Sequence, residues 1–200
     1  MAVEAVVFDI GNVLVEWNPE RYFDAKIGAA RRRALFEETQ LFAMHDAVDR
    51  GAPLDTVVRD HTRKHPGWAD EIMIWNDHWL DLVGPAIDPS VALLRELRAK
   101  GVSVFALSNY GRDTFEMSLP KFPFLEEFDR SYISGRMGVI KPDAEIYRRV
   151  EEDCGLDPAC LLFTDDRPEN IAAAEARGWQ GHVFDGTDGF RARLVTEGVL

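Results

Sequence analysis

The chain has 200 residues, 46% of them hydrophobic, and a formal net charge of −12. This suits one globular unit that can bury a real core without disulfides or a structural metal. The acidic balance disfavours polyanionic partners such as nucleic acid, and no run approaches the ~18 apolar residues of a membrane span. The one basic run, Arg31-Arg32-Arg33, is followed by Glu37 and Glu38 and reads as a solvated helix face. Cys154 and Cys160 match no metal-binding spacing and read as reduced thiols. The opening MAVEAVVFDIGNVLV holds acidic residues within its apolar stretch and has no basic leader, which argues for a cytoplasmic protein without a signal peptide.

Residues 4–9 (EAVVFD) form a β-branched and aromatic run without clean alternation, as expected of a central parallel strand buried on both faces. Residues 17–86 then show no convincing strand. They read as four amphipathic helices near 19–28, 30–43, 53–64 and 67–83, with Pro53 in the first turn of the third and Pro66-Gly67 before the fourth. A strand–helix alternation resumes at Asp88-Pro89. Helical patterns at 90–100, 143–154 and 169–177 each stop at a glycine (Gly101, Gly155, Gly178), a residue that accepts positive φ without a Cβ clash. Strand-like runs lie at 102–108, 130–133, 160–164 and 181–184, and FRARLVTEGVL closes the chain as a short helix. The pattern predicts an α/β fold with a Rossmann-like parallel sheet, a core formed by 1–16 and 87–200, and an inserted α-helical subdomain at 17–86.

In an open parallel sheet, ligands bind beyond the carboxyl ends of the strands. The residues just after the predicted strands are Asp9, Ile10, Gly11 and Asn12; then Ser108, Asn109 and Tyr110; then Gly138 through Pro142, including Lys141; then Asp165, Asp166 and Arg167. Phosphoryl transfer needs an in-line nucleophile, neutralisation of oxygen charge and a metal clamp. A carboxylate such as Asp9 can attack phosphorus and form an aspartyl-phosphate. Mg²⁺ takes oxygen ligands, which Asp9, Asp166, Asp165 and the Gly11 carbonyl can supply. Asn12, Ser108 and Asn109 are candidate hydrogen-bond donors to phosphate, and Lys141 is a point charge that offsets like-charge repulsion near Asp9.

VVFDIGNVL, ALSNY, GVIKPDAEIY and FTDDRPENI resemble, in order and separation, the four motifs of haloacid dehalogenase-like hydrolases. The helical insertion sits where that family's type-1 cap belongs. The resemblance implies a Mg²⁺-dependent phosphatase acting on a small phosphorylated metabolite. Asp9 would be the nucleophile, Ser108 and Lys141 phosphate binders, Asp166 a metal ligand, and Asp165 an acid in the first or second coordination shell. One departure stands out. Phosphatases of the family usually carry a second aspartate two residues after the nucleophile as general acid and base, and this chain has Gly11. Such catalysis is typically worth ~10²–10⁴-fold. A leaving group less basic than an ordinary alkoxide, such as that of a sugar 1-phosphate, depends less on it. Glu16 and Asp46 are candidate substitutes.

Blander roles compete for several of these residues. Ser108-Asn109 is also a good helix cap, and Asp165 also suits a helix N-terminus. His45, His61, His65, His78 and His182 have no zinc-ligand spacing. Trp75 and Trp79 read as core of the helical region, and Arg50, before Gly51, as a turn residue, with reach toward substrate the lesser alternative. Two other functions are consistent with the glycine at position 11: a metal-free haloacid dehalogenase and a catalytically weak binding protein. Asp165-Asp166 argues against the first, since paired carboxylates would repel the nucleophile for no gain.

Overall fold

The computed structural model describes residues 2–200. Strand β1 (Ala5–Phe8) is fully buried, and its side chains alternate between two cores. Val6 and Phe8 join one apolar cluster and Ala5 and Val7 the other, the period-2 consequence of a strand covered on both faces. β1 pairs in parallel with β4 (Ser103–Ser108) and β6 (Leu161–Asp165), which pair outward with β5 (Arg130–Ile133) and β7 (Gln180–Val183). The order β5-β4-β1-β6-β7 makes β1 the point where the chain switches direction across the sheet. Helices α7 (Asp88–Ala99), α8 (Arg112–Ser118), α9 (Ser134–Met137), α10 (Ala144–Cys154) and α11 (Pro168–Glu175) lie between its strands, and α12 (Thr187–Thr196) follows the last.

The region after β1 departs from expectation in three ways. First, it contains strands: β2 (Val15–Trp17) pairs antiparallel with β3 (Val83–Ala86). The expected borders at 16/17 and 86/87 therefore fall within this ribbon and at its end. Secondly, the helix expected over 30–43 is broken. α1 (Pro19–Ile27) is followed by α2 (Ala29–Thr39), and Gln40 then turns left-handed at φ 52° before α3 (Leu41–Asp49) starts on a new axis. Thirdly, α4 (Leu54–Lys64) has Pro53 as its N-cap, and the last expected helix divides into α5 (Ala69–Asp77) and α6 (Trp79–Leu82). Phe23, Leu35, Val48, Trp75 and Trp79 of this insert pack in the same apolar cluster as Val6 and Phe8 of the sheet. Both thiols are free, and among the described residues no helix is long and apolar enough to cross a membrane.

Candidate active site

A cavity of about 370 Å³ opens beyond the carboxyl ends of β1, β4 and β6 and is walled on its far side by the helical insert. Its lining includes Asp9, Gly11, Asn12, Ser108, Asn109 and Asp166 from the strand tips, Lys141 from the turn between α9 and α10, and Trp17, His45, Asp46, Asp49 and Trp79 from the insert and its ribbon. Sheet register explains the convergence. Phe8 pairs with Ala106 and with Thr164, so the residues that follow emerge side by side, and the Asp9 N–H donates to the Thr164 carbonyl at 2.9 Å.

Lys141 organises the floor. It is 2% exposed, and its ammonium contacts Asp9 Oδ1 at 2.9 Å, Asp165 Oδ2 at 2.6 Å and the Leu107 carbonyl at 2.9 Å. All three of its N–H donors are thus committed to acceptors, which is how a buried ammonium keeps its charge. Burial alone would lower its pKa, but Asp9 and Asp165 outweigh burial and the net shift is upward. Asp9 is pushed up to about 7, chiefly by burial and further by Asp165, against the pull of Lys141 and the Ser108 hydroxyl. Two acids facing one cation leave excess negative charge, so both directions are physically consistent. The Asp9 carboxylate is held in rotation by its own neighbour, since the Ile10 N–H donates to Oδ1 at 2.7 Å.

The two acids after β6 differ in environment. Asp165 is fully buried, and it accepts from Lys141, from Asn170 Nδ2 at 2.9 Å to each oxygen, and from the Arg167 N–H at 2.8 Å. Asp166 is partly exposed to the cavity and accepts from Asn12 Nδ2 at 2.9 Å. Asp9, Asp165 and Asp166 each offer one carboxylate oxygen within 4.8 Å of the others, an all-oxygen set suited to a hard divalent cation.

Two asparagines do other work than expected. Asn12 accepts from the Trp17 N–H at 2.9 Å while donating to Asp166, so its amide is a strut for that acid rather than a ligand arm. Asn109 clasps the backbone of Lys141 at both ends, accepting from its N–H at 2.7 Å and donating to its carbonyl at 3.0 Å. Its amide thereby positions the lysine. Arg50 pairs with Asp143 at 3.0 Å and Glu16 with Arg21 at 2.6 Å, and neither lines the cavity. Asp46 does line it.

Three site residues escape sequence reasoning. Asn170 lies inside FTDDRPENI, five positions after Asp165, and that spacing onto the next helix is the one available signal for its role as a clamp. His45 and Asp49, at i and i+4 on α3, face the cavity from the insert, and a single sequence does not reveal which helical face points there. His45 is stacked between Trp17 and Trp79, with ring centroids 5.6 and 5.2 Å away, and its Nδ1 accepts from Trp75 Nε1 at 3.1 Å. That bond leaves the ring proton on Nε2, 3.5 Å from Asp49 Oδ1.

An α/β sheet with this order, whose central strand tips gather acids around a buried lysine, is the framework of haloacid dehalogenase-like (HAD) hydrolases. The chain belongs to that family, whose model matches residues 3–178. A HAD family enzyme from Bacteroides thetaiotaomicron superposes with a TM-score of 0.77 at 25% identity, covering 96% of this chain and 100% of that one. The same wild-type enzyme, in complex with magnesium and inorganic phosphate, gives 0.70 at 25% identity over 90% of this chain and 93% of that one. A sesquiterpene phosphatase of Aspergillus oryzae is 35% identical over 95 residues, 47% of this chain and 48% of that protein. The chain spans no more than about half the length of the curated relatives it matches.

Proposed function

We propose that the chain is a Mg²⁺-dependent phosphomonoester hydrolase acting on a small phosphorylated metabolite through an aspartyl-phosphate on Asp9. The observation that carries this reading is the placement of Asp9 against a fully engaged buried lysine, with Asp166 and Ser108 lining the same cavity. Lys141 holds the Asp9 carboxylate in place and offsets the charge of an approaching phosphate; Ser108 donates to a phosphate oxygen. Asp9 and Asp166, with the Gly11 carbonyl, would hold Mg²⁺. When bound, the ion supplies charge neutralisation at the phosphate oxygens. Asp165, whose oxygens are occupied by Lys141, Asn170 and Arg167, supports the lysine from behind the cation site. Residues 17–86 act as a cap that excludes water and selects the leaving group. Trp17 and Trp79 line the cap side of the cavity beside the partly exposed Asn12 and the exposed Asp46, and a sugar 1-phosphate is one member of the proposed class. The acidic surface and two free thiols fit a cytoplasmic setting.

The neighbouring carboxylates favour phosphate over halide chemistry, because next to a nucleophile without a metal they only repel it. The test is a phosphomonoester panel assayed with Mg²⁺ or with EDTA, for the natural chain and Asp9→Asn. Phosphate release should need the metal and vanish in the variant. Turnover that survives both EDTA and Asp9→Asn, or halide release from a 2-haloacid, refutes the proposal.

A further inference from the structure

Resting on that reading, we propose that Asp49, presented from the helical insert, is the acid and base that the family's usual position lacks in this chain at Gly11. Three observations carry it. First, Asp49 lines the cavity that holds Asp9, Ser108 and Lys141, yet it is 9% exposed, and its Oδ1 makes no hydrogen bond, its polar neighbour being His45 Nε2 at a long 3.5 Å. A buried carboxyl oxygen left without a full hydrogen bond is costly, and on a residue that lines a ligand cavity a bound substrate group can relieve that cost.

Secondly, the surrounding packing fixes its position. Ser134 Oγ, fully buried, accepts from the Tyr110 N–H at 2.9 Å and donates to the Asp49 carbonyl at 2.7 Å, tying the end of α3 to the tips of β4 and β5. The contact is close enough to demand glycine. A Cβ on Gly111 would lie 2.5 Å from Val48 Cγ1, and one on Gly51 would lie 2.6 Å from the Gly135 carbonyl oxygen. Asp49 is therefore held against the sheet edge, not carried on a loose lid.

Thirdly, its environment moves its titration into the neutral range. Burial and then Asp46 lift its carboxyl up to about 7, while Lys141 and the Gly111 N–H oppose them. His45 beside it is depressed to about 4 by burial, so its imidazole is neutral and the 3.5 Å contact is not an ion pair. An acid poised near the working pH is the most effective donor and acceptor. Asp46 shares the cavity wall but is exposed, and Glu16 is paired elsewhere.

In the first step Asp9 attacks phosphorus, the bond to the ester oxygen breaks, and the Asp49 proton passes to that oxygen to release an alcohol. In the second, a water oxygen attacks phosphorus and the bond to Asp9 breaks. The water's proton passes to the Asp49 carboxylate, and inorganic phosphate leaves. With the acid restored, an unusually good leaving group is no longer required, and ordinary alkyl phosphates become competent substrates.

The experiment compares the natural chain, Asp49→Asn and Asp46→Asn on alkyl, phenyl and 4-nitrophenyl phosphates with Mg²⁺, by steady-state and burst kinetics. Asp49→Asn should lose ~10²–10⁴-fold on alkyl phosphates. On 4-nitrophenyl phosphate, whose leaving group needs no proton, it should keep a rapid burst of nitrophenol followed by slow turnover as phosphoenzyme accumulates. Circular dichroism establishes that the isosteric variant is folded. Loss of the 4-nitrophenol burst alongside the alkyl activity, no loss on alkyl phosphates, or the selective loss appearing in Asp46→Asn instead overturns the assignment. Should the natural chain itself release no phosphate from any ester, the proposed hydrolase activity fails with it, an outcome distinct from an active enzyme indifferent to Asp49.

Discussion

Replacing Asp49 by asparagine should stabilise the folded protein in mildly alkaline solution while impairing its chemistry. The carboxyl's pKa rises from 3.8 in the open chain to about 7 when folded, chiefly through burial. A raised pKa means that the native state binds the proton more tightly, so the group's contribution is fully present below pH 3.8. It declines as pH climbs through 7, once folding must bury a carboxylate. A displacement of about three pH units at ~1.4 kcal/mol each gives a penalty of ~4 kcal/mol above pH 8. Asparagine keeps the shape and carries no charge, so it escapes this cost. Urea denaturation of both proteins in EDTA at pH 5 and pH 8.5 measures the difference. Because the open-chain carboxyl is already ionised at pH 5, about a third of this penalty is present there, and the stability gap, variant minus natural, should grow by ~2.5–3 kcal/mol from the lower to the higher pH. A gap that stays flat within ~0.5 kcal/mol would show that Asp49 is ionised in both states, and the acid role would lose its thermodynamic footing.

Other substitutions probe the same architecture. Lys141→Met should abolish phosphate release and cost ~3–5 kcal/mol in urea melts, since Asp9 and Asp165 would be left buried without their cation. Gly111→Ala adds a methyl 2.5 Å from Val48 Cγ1; it should cost ~1–3 kcal/mol and lower kcat by displacing α3, both read from one preparation. Trp75→Ala empties a fully buried site and removes the donor to His45, for a loss of ~3–5 kcal/mol by chemical denaturation, whereas Trp75→Phe should cost clearly less.

The sheet was legible because each central strand is covered on both faces and so reads as an unbroken apolar run ending in a polar tip. EAVVFD and CLLFT carry that signal in full. The insert was less legible. VEW and VGPA are too short, and in the second case too rich in glycine and proline, to announce a ribbon. The break between α2 and α3 hangs on one left-handed glutamine that no propensity singles out. At the site, residue types were readable but the work of each amide was not. Asn12 and Asn109 look like ligand arms until their long-range partners, Asp166 and the Lys141 backbone, are known. His45 and Asp49 belong to a helix whose rotation is fixed by tertiary contacts with Trp17, Trp79 and Ser134.

The apolar mass running from Phe8 through Phe23 to Trp75 gives the insert no private interior. Swinging it aside as a rigid body would open that shared cluster, and so would deleting it. Grafting the insert of a relative onto this sheet would require matching its underside to the apolar side chains already there, whatever pocket it brought along.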